Sequence, residues 1–276
     1  MRIVVAQRPS QSSFPALLKF AHDLADLSGP TVLKHFRSPV AIDNKAGKGA
    51  FDPVTKADRG AERVISQALL ARFPDHGIVG EEHGTRQGAG RYSWVVDPID
   101  GTRAFIMGSP LWGTLIGLLD NGTPSLGIMD QPFTGERFWS GATASYMRVG
   151  NGPARKIKTR ACASLSAATL TSTHPDLFEG PAQQKTLAAL KGAVQMTRYG
   201  GDCYGYCLLA AGYVDLIVES GLKPYDIVAL IPIIERAGGT ITTWDGGPAT
   251  NGGDVVASGD IRVHEAALKM IAKTRH

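Results

Sequence analysis

A chain of 276 residues, 43% hydrophobic and 20% charged, carries enough apolar material for one large core or two coupled ones, and too much to remain disordered. Its net charge of +4, from 29 basic against 25 acidic residues, is dispersed without a run of five like charges, which argues against a nucleic-acid arm and at most favours encounter with a small anion. Three cysteines, Cys162, Cys203 and Cys207, lack C-x-x-C spacing, and no long apolar stretch or signal-peptide core is visible, so a cytoplasmic protein without disulfides or a membrane span is expected.

In chain order, Phe14, Leu17, Leu18, Ala21, Leu24, Ala25 and Leu27 recur at helical spacing, as do Ala61, Val64, Ile65, Ala68 and Leu69 after Asp58. These two predicted helices bracket a glycine-rich loop. "GIVGEE" reads as a short strand ending in acid, and "YSWVVD" as another. "LWGTLIGLL", a turn at Asp120-Asn121-Gly122, "PSLGIM" and "ERFWSG" follow as an antiparallel meander. "VGNGPARK" (149–156) is the expected crossover between a first half, 1–150, and a second half, 151–276, packed as one rigid unit. The second half alternates more regularly. A strand near 168–172, a helix near 182–190 and a strand near 195–199 precede a helix at "CYGYCLLAAG", where Cys203 and Cys207 read as core residues. Then come a strand at "VDLIVE", one helix across "YDIVALIPIIERAGG", strands at "TITTW" and "DVVAS", and a final amphipathic helix. The predicted class is mixed α/β.

Four acidic clusters share a context, each sitting where an extended segment stops or a helix begins: "DPVTKAD" with Asp52 and Asp58, "GEE" with Glu81 and Glu82, "VVDPID" with Asp97 and Asp100, and "LKPYD" with Asp226. Helix capping accounts for one acid per helix, and suffices for Asp58 or Asp226 taken singly. It does not account for Glu81 beside Glu82, nor for Asp97 and Asp100 around the rigid Pro98. If these strand ends converge, the crowded carboxylates need a cation to offset their repulsion. An all-oxygen donor set without paired His or Cys suits Mg²⁺ or a similar hard ion. Gly101 and Thr102 then offer N–H groups at a helix start, where a phosphate is favoured. Adjacent cation and anion sites suit phosphate ester hydrolysis.

At these motifs, "DPVTKAD", "GEE", "WVVDPIDGT" and "GLKPYDIVALIPIIERAGG", the sequence resembles the inositol monophosphatase superfamily of Mg²⁺-dependent phosphatases, over roughly residues 10 to 260. The resemblance implies a layered αβαβα sandwich, a homodimer, and two or three Mg²⁺ ions per site. Carried over by position, Glu81, Asp97 and the Ile99 carbonyl would hold one ion, and Asp97, Asp100 and Asp226 a second, with a weaker third on Glu81 through water. Asp58, Thr102 and Glu81 would orient and deprotonate the attacking water, and the Gly101 and Thr102 N–H groups would hold phosphate. Glu82 is implied as a supporting neighbour, and Lys45 and Lys48 as a basic loop that closes over the metals, a solvated loop being the simpler reading.

"DGTRAFI", "PLWGTLIGLL" and "GGDCYGYCLLAAGYVDLIVE" look most like the histidinol-phosphate phosphatases of this superfamily, which act in histidine biosynthesis. A substrate with an ammonium and an imidazole calls for carboxylates not committed to metal, and Asp202 and Glu219 are the candidates. Asp202 could equally be a helix N-cap, and Glu219 could pair with Lys223 or Arg103, while Arg103 could meet phosphate, Glu219 or solvent. Trp112 reads as a core residue. Inositol-1-phosphate or another sugar or nucleotide phosphate is the nearest alternative substrate. A non-catalytic metal-binding regulatory protein is the alternative from a different class.

Overall fold

The computed structural model describes residues 13–39, 42–44 and 53–275; Lys45, Lys48 and Asp52 lie outside them. Helix α1 (Phe14–Leu33) has proline in its first turn, where a missing N–H leaves nothing unpaired, and buries Leu17, Ala21, Leu24, Ala25 and Val32 as one stripe. Leu27, expected in that stripe, falls at its margin and stays 48% exposed. Strands β1 (Ile42–Asn44) and β2 (Pro53–Thr55) pair antiparallel and lead into α2 (Lys56–Arg72). A reciprocal cap starts α2. The Thr55 hydroxyl accepts the Ala57 N–H at 3.0 Å, while Asp58 Oδ2 accepts the Thr55 N–H at 2.9 Å and its hydroxyl at 2.6 Å.

The large sheet follows: β3 (Gly77–Gly80), β4 (Gly84–Arg86), β5 (Tyr92–Asp100), then after the short α3 (Thr102–Ile106) β6 (Gly113–Asp120), β7 (Thr123–Gln131), β8 (Glu136–Ser140), β9 (Ser145–Val149) and β10 (Arg155–Ile157). Its spatial order is β10-β9-β8-β7-β6-β5-β3-β4. From β5 to β10 it is antiparallel, the expected meander over β6–β8 being continued by β9 and β10, and β3 lies parallel to β5, so both strands end at the same edge. Residues 149–156 do not cross between halves. The chain turns back at Gly150, whose N–H bonds the Gly135 carbonyl at 2.7 Å, and pairs Arg155 with Met147, so the large sheet extends to Ile157.

The small sheet is built from β11 (Thr169–Ser172), β12 (Met196–Tyr199) after α4 (Pro181–Ala193), and β13 (Leu216–Leu222) after α5 (Asp202–Ala210). Helices α6 (Pro224–Ile227) and α7 (Leu230–Arg236) precede β14 (Thr240–Thr243) and β15 (Gly253–Ser258), and α8 (Ile261–Arg275) closes the chain. The strand order is β12-β11-β13-β15-β14, parallel around β11 and antiparallel around β15. The helix expected across "YDIVALIPIIERAGG" is two helices. Pro232 has no N–H for the Val228 carbonyl, so the hydrogen-bond ladder is interrupted where the segments meet.

Alternation along the strands generates five layers. Ile116 and Ile128 face α1 and α2, while Leu115 and Met129 face α5 and α7 on the other side. Ile217, Val255 and Ala257 of the small sheet join that same central core, and its opposite face, with Leu216, Val218 and Val256, is buried by α4 and α8. This is an αβαβα sandwich. A Cβ on Gly127 would lie 2.6 Å from the Ala229 carbonyl carbon, so only glycine lets the α6–α7 backbone rest directly on the large sheet. That close approach carries Asp226 to the end of β5.

Candidate active site

Strand periodicity would point Asp97 and Asp100, three residues apart, to opposite faces of the sheet. The register against β6 slips between them, from Asp97 opposite Leu115 to Asp100 opposite Gly113, and this bulge brings both acids to one side. The bulge is pinned by its own polar groups. Asp97 Oδ1 accepts the Ile99 N–H at 3.0 Å, the Thr114 hydroxyl donates to the Pro98 carbonyl at 2.8 Å, and the Thr102 hydroxyl to the Ile99 carbonyl at 3.1 Å. Gly101 caps α3 in the left-handed region, φ 90°.

Asp97, Asp100 and Asp226 each place a carboxylate oxygen within 4.8 Å of the others. Asp226 arrives in the first turn of α6, where its Oδ2 accepts the Lys223 N–H at 2.7 Å. It therefore caps its helix and joins the cluster at once. Glu81 follows β3, its N–H on the Val96 carbonyl at 3.3 Å, and its carboxylate lies close enough to Asp97 and Asp58 to raise both. Burial pushes Asp97 well above the usual carboxylate range, and the charges of Glu81, Asp100 and Asp226 push it further. Asp100 is raised well above that range by burial, then by Asp202 and Asp226, against the Cys203 N–H that donates to its Oδ2 at 2.6 Å. Asp58 is also raised by burial, and its Oδ1 is buried with no hydrogen-bond partner among the described residues. Capping thus uses only half of Asp58.

The substrate-side acids are arranged differently from the capping and pairing alternatives. Asp202 is the first residue of α5, not its cap; Gly201 holds that place and no side chain caps the helix. Asp202 instead takes a left-handed backbone, φ 42°, rare for a side-chain-bearing residue and a recurrent mark of functional positions. Burial pushes its carboxyl up to about 6, opposed by the charge of Arg103. Glu219 is 1% exposed and accepts the Thr173 N–H at 2.7 Å and hydroxyl at 3.0 Å, in place of Lys223 or Arg103. Burial pushes its carboxyl up to about 8, and its Oε2 is without a partner among the described residues. The buried Tyr206 hydroxyl, likewise without a partner among the described residues, is raised by burial and by the charges of Glu219, Asp100 and Asp226.

Two features escaped the sequence reading. The Cys203 N–H on Asp100 is a backbone contact invisible in residue identities. Glu62 is buried at 1% and accepts the N–H groups of Glu82, at 2.7 Å, and His83, at 2.9 Å. An acid interrupting the buried face of α2, four residues after Asp58, was the available signal. Trp112 is fully buried against Phe36 and Phe105, as its core reading requires.

Three crowded carboxylates, Asp97 buried and Asp100 and Asp226 half-buried, with Asp97 and Asp100 raised and an orphaned oxygen on Asp58 nearby, fit a hard divalent cation. An αβαβα sandwich with such a cluster where β3 and β5 end defines the class: a sugar-phosphatase-type α/β fold with an acidic, metal-compatible centre. Residues 15–276 match the inositol monophosphatase family, and the chain belongs to it. It is 43% identical, over 96% of its length and 78% of the relative's, to the chloroplastic bifunctional phosphatase IMPL2 of Arabidopsis thaliana. It is 34% identical, over 83% of its length and 86% of the relative's, to a histidinol-phosphatase of Chlorobaculum parvum. Among solved structures, an inositol monophosphatase from Zymomonas mobilis superposes with a TM-score of 0.83 at 40% identity, covering 95% of this chain and all of that one.

Proposed function

We propose that this phosphatase-family protein hydrolyses L-histidinol phosphate to L-histidinol and phosphate in a Mg²⁺-dependent reaction. The observation that carries the reading is the convergence of Asp97, Asp100 and Asp226 within 4.8 Å, with the half-buried Asp202 close enough to raise Asp100. A metal-compatible centre thereby adjoins a carboxylate suited to a cationic substrate. The name of the Chlorobaculum relative supports the same choice.

In this reading Glu81, Asp97 and the Ile99 carbonyl hold one ion, Asp97, Asp100 and Asp226 a second, and Glu81 a weaker third. Mg²⁺ so placed would supply Lewis acidity toward the phosphoryl group and the departing oxygen. The chain's own groups do the rest. The Gly101 and Thr102 N–H groups orient phosphate. Thr102, donating to the Ile99 carbonyl, keeps its oxygen available as an acceptor, and with Asp58 Oδ1 and Glu81 it holds the attacking water, whose proton passes to a carboxylate of that pair. The water oxygen bonds to phosphorus as the ester P–O bond opens on the opposite side; the departing alkoxide takes a proton from solvent and leaves as the alcohol, and the proton held by the acids returns to solvent or phosphate. No covalent phosphoenzyme is required. Asp202 and Glu219 receive the ammonium and imidazole of the substrate.

The working unit in this reading is a homodimer acting on a small phosphate monoester, with no nucleic acid or membrane partner. Among the described residues no helix is long and apolar enough to cross a membrane. Phosphate release from L-histidinol phosphate, inositol-1-phosphate, fructose bisphosphate and 3′-phosphoadenosine phosphate, ranked by kcat/KM, tests the substrate. A higher value for a neutral polyol phosphate overturns the choice. Absence of Mg²⁺-dependent turnover across the panel overturns the enzyme reading.

A further inference from the structure

We infer that Glu62 is a positioning residue that fixes the turn carrying Glu81 and thereby sets the affinity of the acidic centre for a divalent cation. The inference rests on Glu81 being a metal ligand, as proposed above.

Strands β3 and β4 form a hairpin, with Gly80 opposite Gly84, so Glu81, Glu82 and His83 are its loop. The backbone of such a loop has N–H groups that neither strand can satisfy. Glu62 reaches across from α2 and takes two of them, one on each carboxylate oxygen: Glu82 N–H on Oε2 at 2.7 Å and His83 N–H on Oε1 at 2.9 Å. His83 Nδ1 lies 3.1 Å from the same Oε1. A doubly accepting carboxylate fixes two consecutive peptide planes, which leaves Glu81 little freedom to rotate out of the site.

The approach requires a specific strand residue. A Cβ on Gly80 would lie 2.5 Å from Glu62 Cδ and closer still to Oε1, so the carboxylate occupies the space that any other side chain would fill. Glu62 also stands one helical turn beyond Asp58 on the buried face of α2. One rigid helix therefore holds Asp58 directly and Glu81 through the loop. Groups that orient ligands without touching the metal commonly change affinity by about 10–100-fold when lost.

The test is calorimetric titration of the purified chain, stripped with a chelator, with Mg²⁺. Glu62→Gln keeps the volume but turns one acceptor into a donor facing an N–H group, and Gly80→Ala displaces the carboxylate by sterics alone. Both variants are expected to weaken Mg²⁺ binding by about 10–100-fold. His83→Ala, which spares both backbone contacts, and Leu187→Ala, which loosens the outer core beside the small sheet, are expected to retain wild-type affinity. Either turn variant, folded by circular dichroism yet binding Mg²⁺ as wild type does, overturns the inference. So does an equal loss in Leu187→Ala, which would make the effect one of general stability. If the wild-type chain itself binds no Mg²⁺, the metal reading of the site fails first.

Discussion

Asp97 and Asp226, one at the end of β5 and the other in the first turn of α6, bring carboxylate oxygens within 4.8 Å of each other. Burial and the charges of Glu81, Asp100 and Asp226 all raise Asp97. Ionisation of Asp97 is therefore disfavoured at this point, and a bound cation would offset the crowding.

Asp97→Asn should then act in opposite directions on activity and stability. Removing a shared ligand is expected to lower kcat with saturating Mg²⁺ by at least about 10³-fold, a scale set by the loss of transition-state charge stabilisation. In chelator at pH 8 the same variant should melt a few degrees higher than wild type, because about 1 kcal/mol of relieved repulsion shifts Tm by roughly 2–4 °C at this size. Phosphate-release kinetics and thermal melts with and without Mg²⁺ measure the two. Near-normal turnover would contradict the ligand assignment.

Asp58→Asn separates chemistry from binding. The amide oxygen can still accept the Thr55 N–H and keep α2 capped, while the unpartnered carboxylate oxygen is no longer a base. The expected result is a kcat lower by about 10²–10⁴-fold with KM changed by less than about threefold. Wild-type kcat in a folded Asp58→Asn protein would leave Asp58 with its capping role alone.

Glu219 contributes to the pH dependence of the metal-free protein, beside Asp97 and Asp100, which burial also raises. Its folded pKa, pushed up by burial to about 8, lies above the ordinary value of 4.5, so the native state retains a proton that the unfolded chain has lost. Stability from this group is complete below about pH 4.5 and declines as pH rises through about 8. Asp202, raised to about 6, adds a decline in the lower part of the same window. Thermal melts in chelator from about pH 5 to 9 should fall with pH, and Glu219→Gln should remove the part of the fall nearest pH 8. A Glu219→Gln protein whose Tm falls with pH as steeply as wild type would show Glu219 to be ionised in the fold.

Much of this architecture is carried by signals with a definite period. The alternation in β5 to β8, the helical stripes of α1 and α2 and the Asn121–Gly122 hairpin all follow from local pattern. The acids were visible because Asp97-Pro98-Ile99-Asp100 has no reason to be doubly acidic as a turn. What stayed hidden depends on three-dimensional approach. The bulge that turns Asp97 and Asp100 to one side, the contact of Ala229 with Gly127, and the Cys203 N–H on Asp100 leave no periodic trace. Burial likewise decided Glu62 and Glu219, whose carboxylates each accept backbone N–H groups, a contact that residue identities do not reveal. The break between α6 and α7 was legible at Pro232, but the continuous apolar run around it masked the missing hydrogen bond.

Asp202→Asn addresses substrate choice. The left-handed backbone at Asp202 points to a position held for a purpose other than helix capping, and the burial that raises its carboxyl is opposed by the charge of Arg103. A bound ammonium or imidazolium would favour the ionised carboxylate in the same way, and a charge-assisted hydrogen bond of that kind contributes about 1.5–3 kcal/mol. Loss of it should lower kcat/KM for L-histidinol phosphate by about 10–100-fold, since each 1.4 kcal/mol is tenfold. A small neutral phosphomonoester, which presents no cation there, should be affected less than about threefold. The comparison is internal to one variant, so a general loss of stability or of metal cannot imitate it. Equal losses on both substrates would assign Asp202 to shaping the α5 N-terminus and holding Asp100 through Cys203, and would leave Glu219 as the remaining determinant of the choice.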